Sequence, residues 1–275
     1  MKRMMPVSEL ARDVRFHPMS VEDVIFDPRN AHPDAKQNGL APDHENATEN
    51  ARNLMHGIFV GEIQALEGAG RTCWDFETGD GVDEAPFALK LDMARQCWDE
   101  ARHVEISVKL SEHMGSTIGE FAEQTLLYET ACNEDPVLRL TGVNRALEGL
   151  AIDVFQTMRD FGQALADPVL AFAEDWMLAD EVTHVKMGSD WLRRITANDP
   201  ERQKKALEFQ RAVDKVFSFG GLRGEDDDNP VHLARNFRRL AGFSEEEIAE
   251  LVNIAAEAYA EAVANQEAAL AAAPE

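Results

Sequence analysis

Two short segments, DEARH at 99–103 and DEVTH at 180–184, constrain this chain more than anything else in it. Each sets an acid pair and a histidine inside a long helical pattern. Four hydrophilic side chains in little more than one turn are costly to desolvate unless something binds them. Such a face must look at water or at a cation. A carboxylate at position i and an imidazole at i+3 share one helix face, a turn apart, and can ligate one ion together.

The surrounding punctuation is helical throughout. A first long helix is expected from about Glu45 to Phe76 and is broken by TGDGVDEAP. Pro86 fits the first turn of a second helix ending near Gly115, and a shorter helical piece follows within GEFAEQTLLYETA. Asp135-Pro136 opens a third helix reaching about Ala166, and Asp167-Pro168 opens a fourth ending near Thr196. Each Asp-Pro pair joins a side-chain acceptor at the cap to a residue pre-set for the first turn. Further helices follow Pro200, then a Gly- and Asp-rich loop, GGLRGEDDDNP, then a last helix from Ser244 with Glu247 as its capping-box partner. Strand-like alternation is essentially absent, so the fold class is all-α. An irregular N-terminal arm over 1–45 precedes one helical domain over 46–275, with four core helices at about 46–196 and C-terminal helices at about 197–272.

Each core helix then offers one carboxylate near its middle: Glu62, Glu100, Glu148 and Glu181, the second and fourth joined by His103 and His184. Four inward carboxylates and two imidazoles are the ligand set for two iron or manganese ions in a helical bundle. Hard oxygen donors with imidazole favour iron or manganese, whereas a zinc site would want thiolates or more histidine. A metal-bound histidine needs its other ring nitrogen satisfied, usually by a carboxylate. Asp99 is therefore expected to reach His184 and Asp180 to reach His103, with Arg102 joining these outer carboxylates.

Composition narrows the partners. A formal charge of −24 over 275 residues disfavours nucleic acid and anionic membranes, which call for a basic patch. No uninterrupted apolar run is long enough to span a bilayer, and MKRMMPVSEL lacks the apolar stretch of a signal peptide. Three cysteines in no paired motif suggest reduced thiols and a cytoplasmic setting.

DEARH is similar to the Asp-Glu-x-Arg-His signature of bacterial multicomponent diiron monooxygenases. VGEIQALEGA, RALEGLAIDVF and ADEVTHVKMGSDWL resemble helices of the aldehyde-deformylating oxygenases and of a bacterial ferritin-like family catalogued only as a domain of unknown function. The resemblance covers about residues 50–196 and implies a ferritin-like four-helix bundle holding two Fe ions, or Mn or a mixed Mn/Fe pair. It also selects Glu62 over Glu67 as the first helix's ligand. Three departures stand out. Ile152 replaces the threonine that follows the third-helix glutamate in the multicomponent monooxygenases. Met177 stands where the arylamine N-oxygenases place an extra histidine, and neither Tyr128 nor Tyr259 falls at an evident radical site.

The expected function is a non-heme dinuclear iron oxygenase or oxidase. It would use Glu62, Glu100, Glu148 and Glu181 and activate O2 to hydroxylate, N-oxygenate, desaturate or cleave a small organic molecule. A ferredoxin or reductase, or the substrate itself, is the expected source of electrons, and a homodimer is the assembly considered. The competing expectation is a ferroxidase or peroxide-scavenging protein. Phe59, Ile152 and Phe155 would line an apolar surround, and Cys97 and Trp98 would pack. Asp153 reads either as a support for the centre or as an exposed acid. His56, His113 and the acidic run Asp226 to Asp228 read as satisfied or solvated groups.

Overall fold

The computed structural model describes Leu40 and residues 45–121, 123, 125–218 and 231–272. Nearly all of the expected arm, the GGLRG stretch, Asp226 to Asp228 and the Tyr259 side chain lie outside the described residues. The chain is mostly helical. Its elements are α1 (Ala47–Asp75), the two-residue strands β1 (Glu77–Thr78) and β2 (Glu84–Ala85), α2 (Phe87–His113), α3 (Leu126–Ala131) and α4 (Pro136–Thr141). There follow a π-helical segment (Gly142–Leu147), α5 (Glu148–Ala164), α6 (Pro168–Ile195), α7 (Pro200–Ser218), α8 (Arg235–Leu240) and α9 (Glu245–Ala272).

The caps act as their sequences require. Asp135 accepts from the amides of Val137 and Leu138, and Asp167 from those of Val169 and Leu170. At α9, the Ser244 amide donates to Glu247 at 2.8 Å while the Glu247 amide donates to Ser244 Oγ at 3.2 Å, a reciprocal box. Pro86 stands just before α2 rather than in its first turn. The expected break after α1 holds a minimal parallel pair, β1 beside β2.

Heptad spacing organises the two helices that carry the Glu-x-x-His motifs. The buried stripe of α2 steps four and three alternately through Leu89, Met93, Gln96, Glu100, His103 and Ser107. The same steps recur in α6 as Leu170, Glu174, Met177, Glu181, His184 and Gly188. This spacing keeps one seam facing a neighbouring helix along its length. α1 packs along α2 and α5 along α6, and the two pairs meet across a shared interior. α2 and α6 run antiparallel there, since residues 99 and 103 of one meet 184 and 180 of the other. Trp98 falls off the α2 stripe and is 67% exposed, so it does not pack as expected; Cys97 is half-buried.

The third rod carries a local change of pitch. α4, the π segment and α5 form one continuous helical run from 136 to 164, and all six residues of the π segment are buried. An ordinary α-helix on the edge of a core does not bury six consecutive residues. The wider turn ends at Glu148. π turns inside α-helices are often found at functional sites.

The C-terminal helices close over this rod. Arg145, in the π segment and 2% exposed, donates to Gln210 of α7 at 2.8 Å and to Ser189 of α6 at 2.7 Å, and pairs with Glu247 of α9. Among the described residues no helix is long and apolar enough to cross a membrane.

Candidate metal centre

The six residues singled out by spacing come together. Glu62, Glu100, His103 and Glu181 form one buried quartet, and Glu100, Glu148, Glu181 and His184 form a second. The donor atoms of each quartet lie within 4.8 Å of one another. Glu100 and Glu181, the glutamates of the two Glu-x-x-His motifs, belong to both. Glu67 belongs to neither.

Both histidines turn the same nitrogen inward. His103 Nδ1 lies 3.0 Å from Glu62 and Glu100 and 3.2 Å from Glu181. His184 Nδ1 lies 3.1 Å from Glu100 and 3.5 Å from Glu181. The outer nitrogens meet the expected aspartates, with His103 Nε2 3.3 Å from Asp180 and His184 Nε2 3.3 Å from Asp99. Arg102 donates to Asp99 and, at 3.3 Å, to Asp180, while its guanidinium lies 4.7 Å from the centre of the Trp176 ring. One cation thus ties the two outer carboxylates together.

A model of the family described as Protein of unknown function (DUF455) matches residues 5–249. The chain belongs to this family. No curated protein and no solved structure gives a significant match to it.

The donor set of this DUF455 chain fits metal ions on its own account. Glu100 Oε2, both oxygens of Glu181 and His184 Nδ1 are buried without a hydrogen-bond partner. Leaving such groups bare costs about 1–3 kcal/mol each, more when charged. His103 Nδ1 carries at most one proton and cannot satisfy the three carboxylates around it. Two divalent cations would balance the four carboxylates and leave both imidazoles neutral.

Titration behaviour reflects the same crowding. Burial pushes the Glu62 and Glu148 carboxyls well above the usual range, and the charges of Glu100 and Glu181 add to it. Burial also opposes ionisation of Glu100 and Glu181, but the imidazoles, His184 foremost, overcome it and hold both below the usual range. Burial works against a charge on His103 or His184 as well. Asp180 and the glutamates outweigh it at His103, and Glu100, Glu181 and Asp99 do so at His184, so both titrate well above an ordinary histidine.

Sequence reasoning missed a second group of residues here. The Gln96 side-chain amide donates to Glu100 at 3.0 Å and to Glu148, and Asn144 of the π segment donates to the Gln96 carbonyl. Glu174 is wholly buried on α6. Gln96 and Glu174 occupy stripe positions that an amphipathic helix normally gives to apolar residues, and that was the signal available. Asp153, by contrast, takes no part in the centre and is not exposed: it is wholly buried and paired with Arg238. His56 lies 3.0 Å from Glu123 and His113 2.8 Å from Asp167, both away from the quartets.

Proposed function

We propose that this chain is a ferritin-like dinuclear metal carboxylate protein that uses two iron ions and O2 to oxidise a small organic molecule. The observation that carries this reading is the pair of buried quartets with unpartnered donors. Glu100 and Glu181 would each serve both ions, Glu62 and Glu148 one each, and the two imidazoles would bind through Nδ1. The bound pair would supply electrons and O2-binding capacity for hydroxylation, N-oxygenation, desaturation or carbon–carbon cleavage.

The chain's own residues set the conditions. Asp99 and Asp180 hold the proton of each imidazole on Nε2, which keeps the Nδ1 lone pair inward and raises its basicity. Arg102 fixes both aspartates. Gln96 orients Glu148 and Glu100 by donating to each. Phe155, edge-on to His103 at 6.2 Å, and the buried Ile152 and Met177 keep water from the centre.

The test is to load metal-free protein with Fe(II) without oxygen, then admit O2 while following oxygen consumption, optical absorption and iron content. Uptake of O2 in proportion to protein, with iron held at two ions per chain, is expected. Oxygen uptake no faster than that of free Fe(II) would contradict the reading. Continued accumulation of iron would reassign the centre to iron handling.

A further inference from the structure

The two ends of the centre differ in a way the repeated motif does not require. Glu174 lies two turns before Glu181 on the α6 stripe, is wholly buried, and neither of its carboxylate oxygens has a hydrogen-bond partner. The charged groups that act on it are Glu62 and His103, both of the first quartet. One turn beyond His103, the buried Ser107 hydroxyl is likewise without a partner. The matching stripe positions at the other end hold Met93 in place of Glu174 and Gly188 in place of Ser107. There the Gln96 amide is engaged through both its atoms, donating to Glu100 and Glu148 and accepting from Asn144, and the one bare polar atom of the two side chains is the neutral carbonyl oxygen of Asn144 rather than a carboxylate.

Packing does not call for a carboxyl at this position, since a methionine fills its counterpart. A bare carboxyl in an apolar core is unfavourable, and it is relieved by a proton or by a cation. The cation nearest at hand is the one the first quartet would hold. We propose that Glu174, which lies outside both quartets, is a seventh residue of the metal centre, engaging the divalent transition-metal ion at Glu62, Glu100, His103 and Glu181 through one water. This deepens the dinuclear reading and rests on it. The His103-side ion then becomes the tighter of the two, because one more carboxylate faces it.

Mn(II) binding, followed by the electron paramagnetic resonance of the free ion, tests this in single-site backgrounds. His184→Ala leaves the His103 side as the intact site, and His103→Ala leaves the other. Adding Glu174→Gln should weaken Mn(II) binding about tenfold or more in the first background, in line with loss of a supporting carboxylate, and leave the second unchanged. Glu174→Met, which copies Met93, should lose the same affinity while raising the unfolding temperature of the metal-free protein, which shows that the fold is intact. Wild type binding two Mn(II) while Glu174→Gln and Glu174→Met bind both ions as tightly overturns the proposal and leaves the centre standing. Equal weakening in both backgrounds overturns it too. Wild type that binds no Mn(II) overturns the centre along with it.

Discussion

At His103, three carboxylates converge on one nitrogen that has a single proton to share. Without metal, protons must do the work of cations, and this has a consequence for stability. His103 and His184 are held well above the ordinary histidine range, and Glu62, Glu148 and Glu174 well above the ordinary carboxyl range. Each of these groups binds more protons folded than unfolded once pH exceeds its ordinary value, so stability falls as pH rises. That loss begins near the ordinary glutamate value of about 4.3 and continues past the histidine value of about 6.5. Glu100 and Glu181, held low, act in the opposite sense, but only below the ordinary glutamate range. Metal-free protein should therefore lose thermal stability between about pH 5 and 8, and the rise in Tm on adding Mn(II) should grow over the same interval, because bound metal replaces the protons. Thermal unfolding with chelator and with Mn(II) checks both trends. Metal-free protein that gains stability across that interval would contradict them.

At the level of elements, what could be read from the sequence was local. The Asp-Pro caps, the Ser244–Glu247 box and the i, i+3 Glu/His pairs each depend on residues within one turn, and the structure has the caps and the box as expected and turns both Glu/His pairs into the buried quartets. The cross-pairing of Asp99 with His184 and Asp180 with His103 was also legible, because a second-nitrogen partner is a chemical necessity once the ligands are chosen. The π segment was not. Gly142–Leu147 reads as ordinary helix, and the close approach that its first residue makes to another element is not visible in local sequence: an added Cβ on Gly142 would lie 2.1 Å from the Ala131 carbonyl oxygen. The Arg238–Asp153 pair was equally hidden, since α8 and α5 are far apart in sequence and no periodicity links them. Arg238 donates to Asp153 at 3.0 and 2.6 Å and to the Gly149 carbonyl, with both side chains wholly buried. Removing one partner strands a buried charge, so Arg238→Ala should destabilise the protein by roughly 3–5 kcal/mol in denaturant unfolding. A loss under about 1 kcal/mol would mean that water reaches the abandoned carboxylate.

Across the whole molecule, the C-terminal helices are tied to the helices that carry the two quartets. Arg145 links the π segment to α6, α7 and α9, and Arg238 locks α8 onto the rod that carries Glu148. The family match, residues 5–249, likewise runs well past the four helices that carry the quartets and into α9. Four glutamates and two histidines from helices distant in sequence are thus brought to one point, with Glu100 Oε2, both Glu181 oxygens and His184 Nδ1 buried there without a hydrogen-bond partner. Anomalous diffraction at the iron edge, from crystals of the fully iron-loaded protein, tests that claim most directly. Two peaks are predicted, one among Glu62, Glu100, His103 and Glu181 and one among Glu100, Glu148, Glu181 and His184. A single peak there, or iron bound only at the surface, would contradict the account.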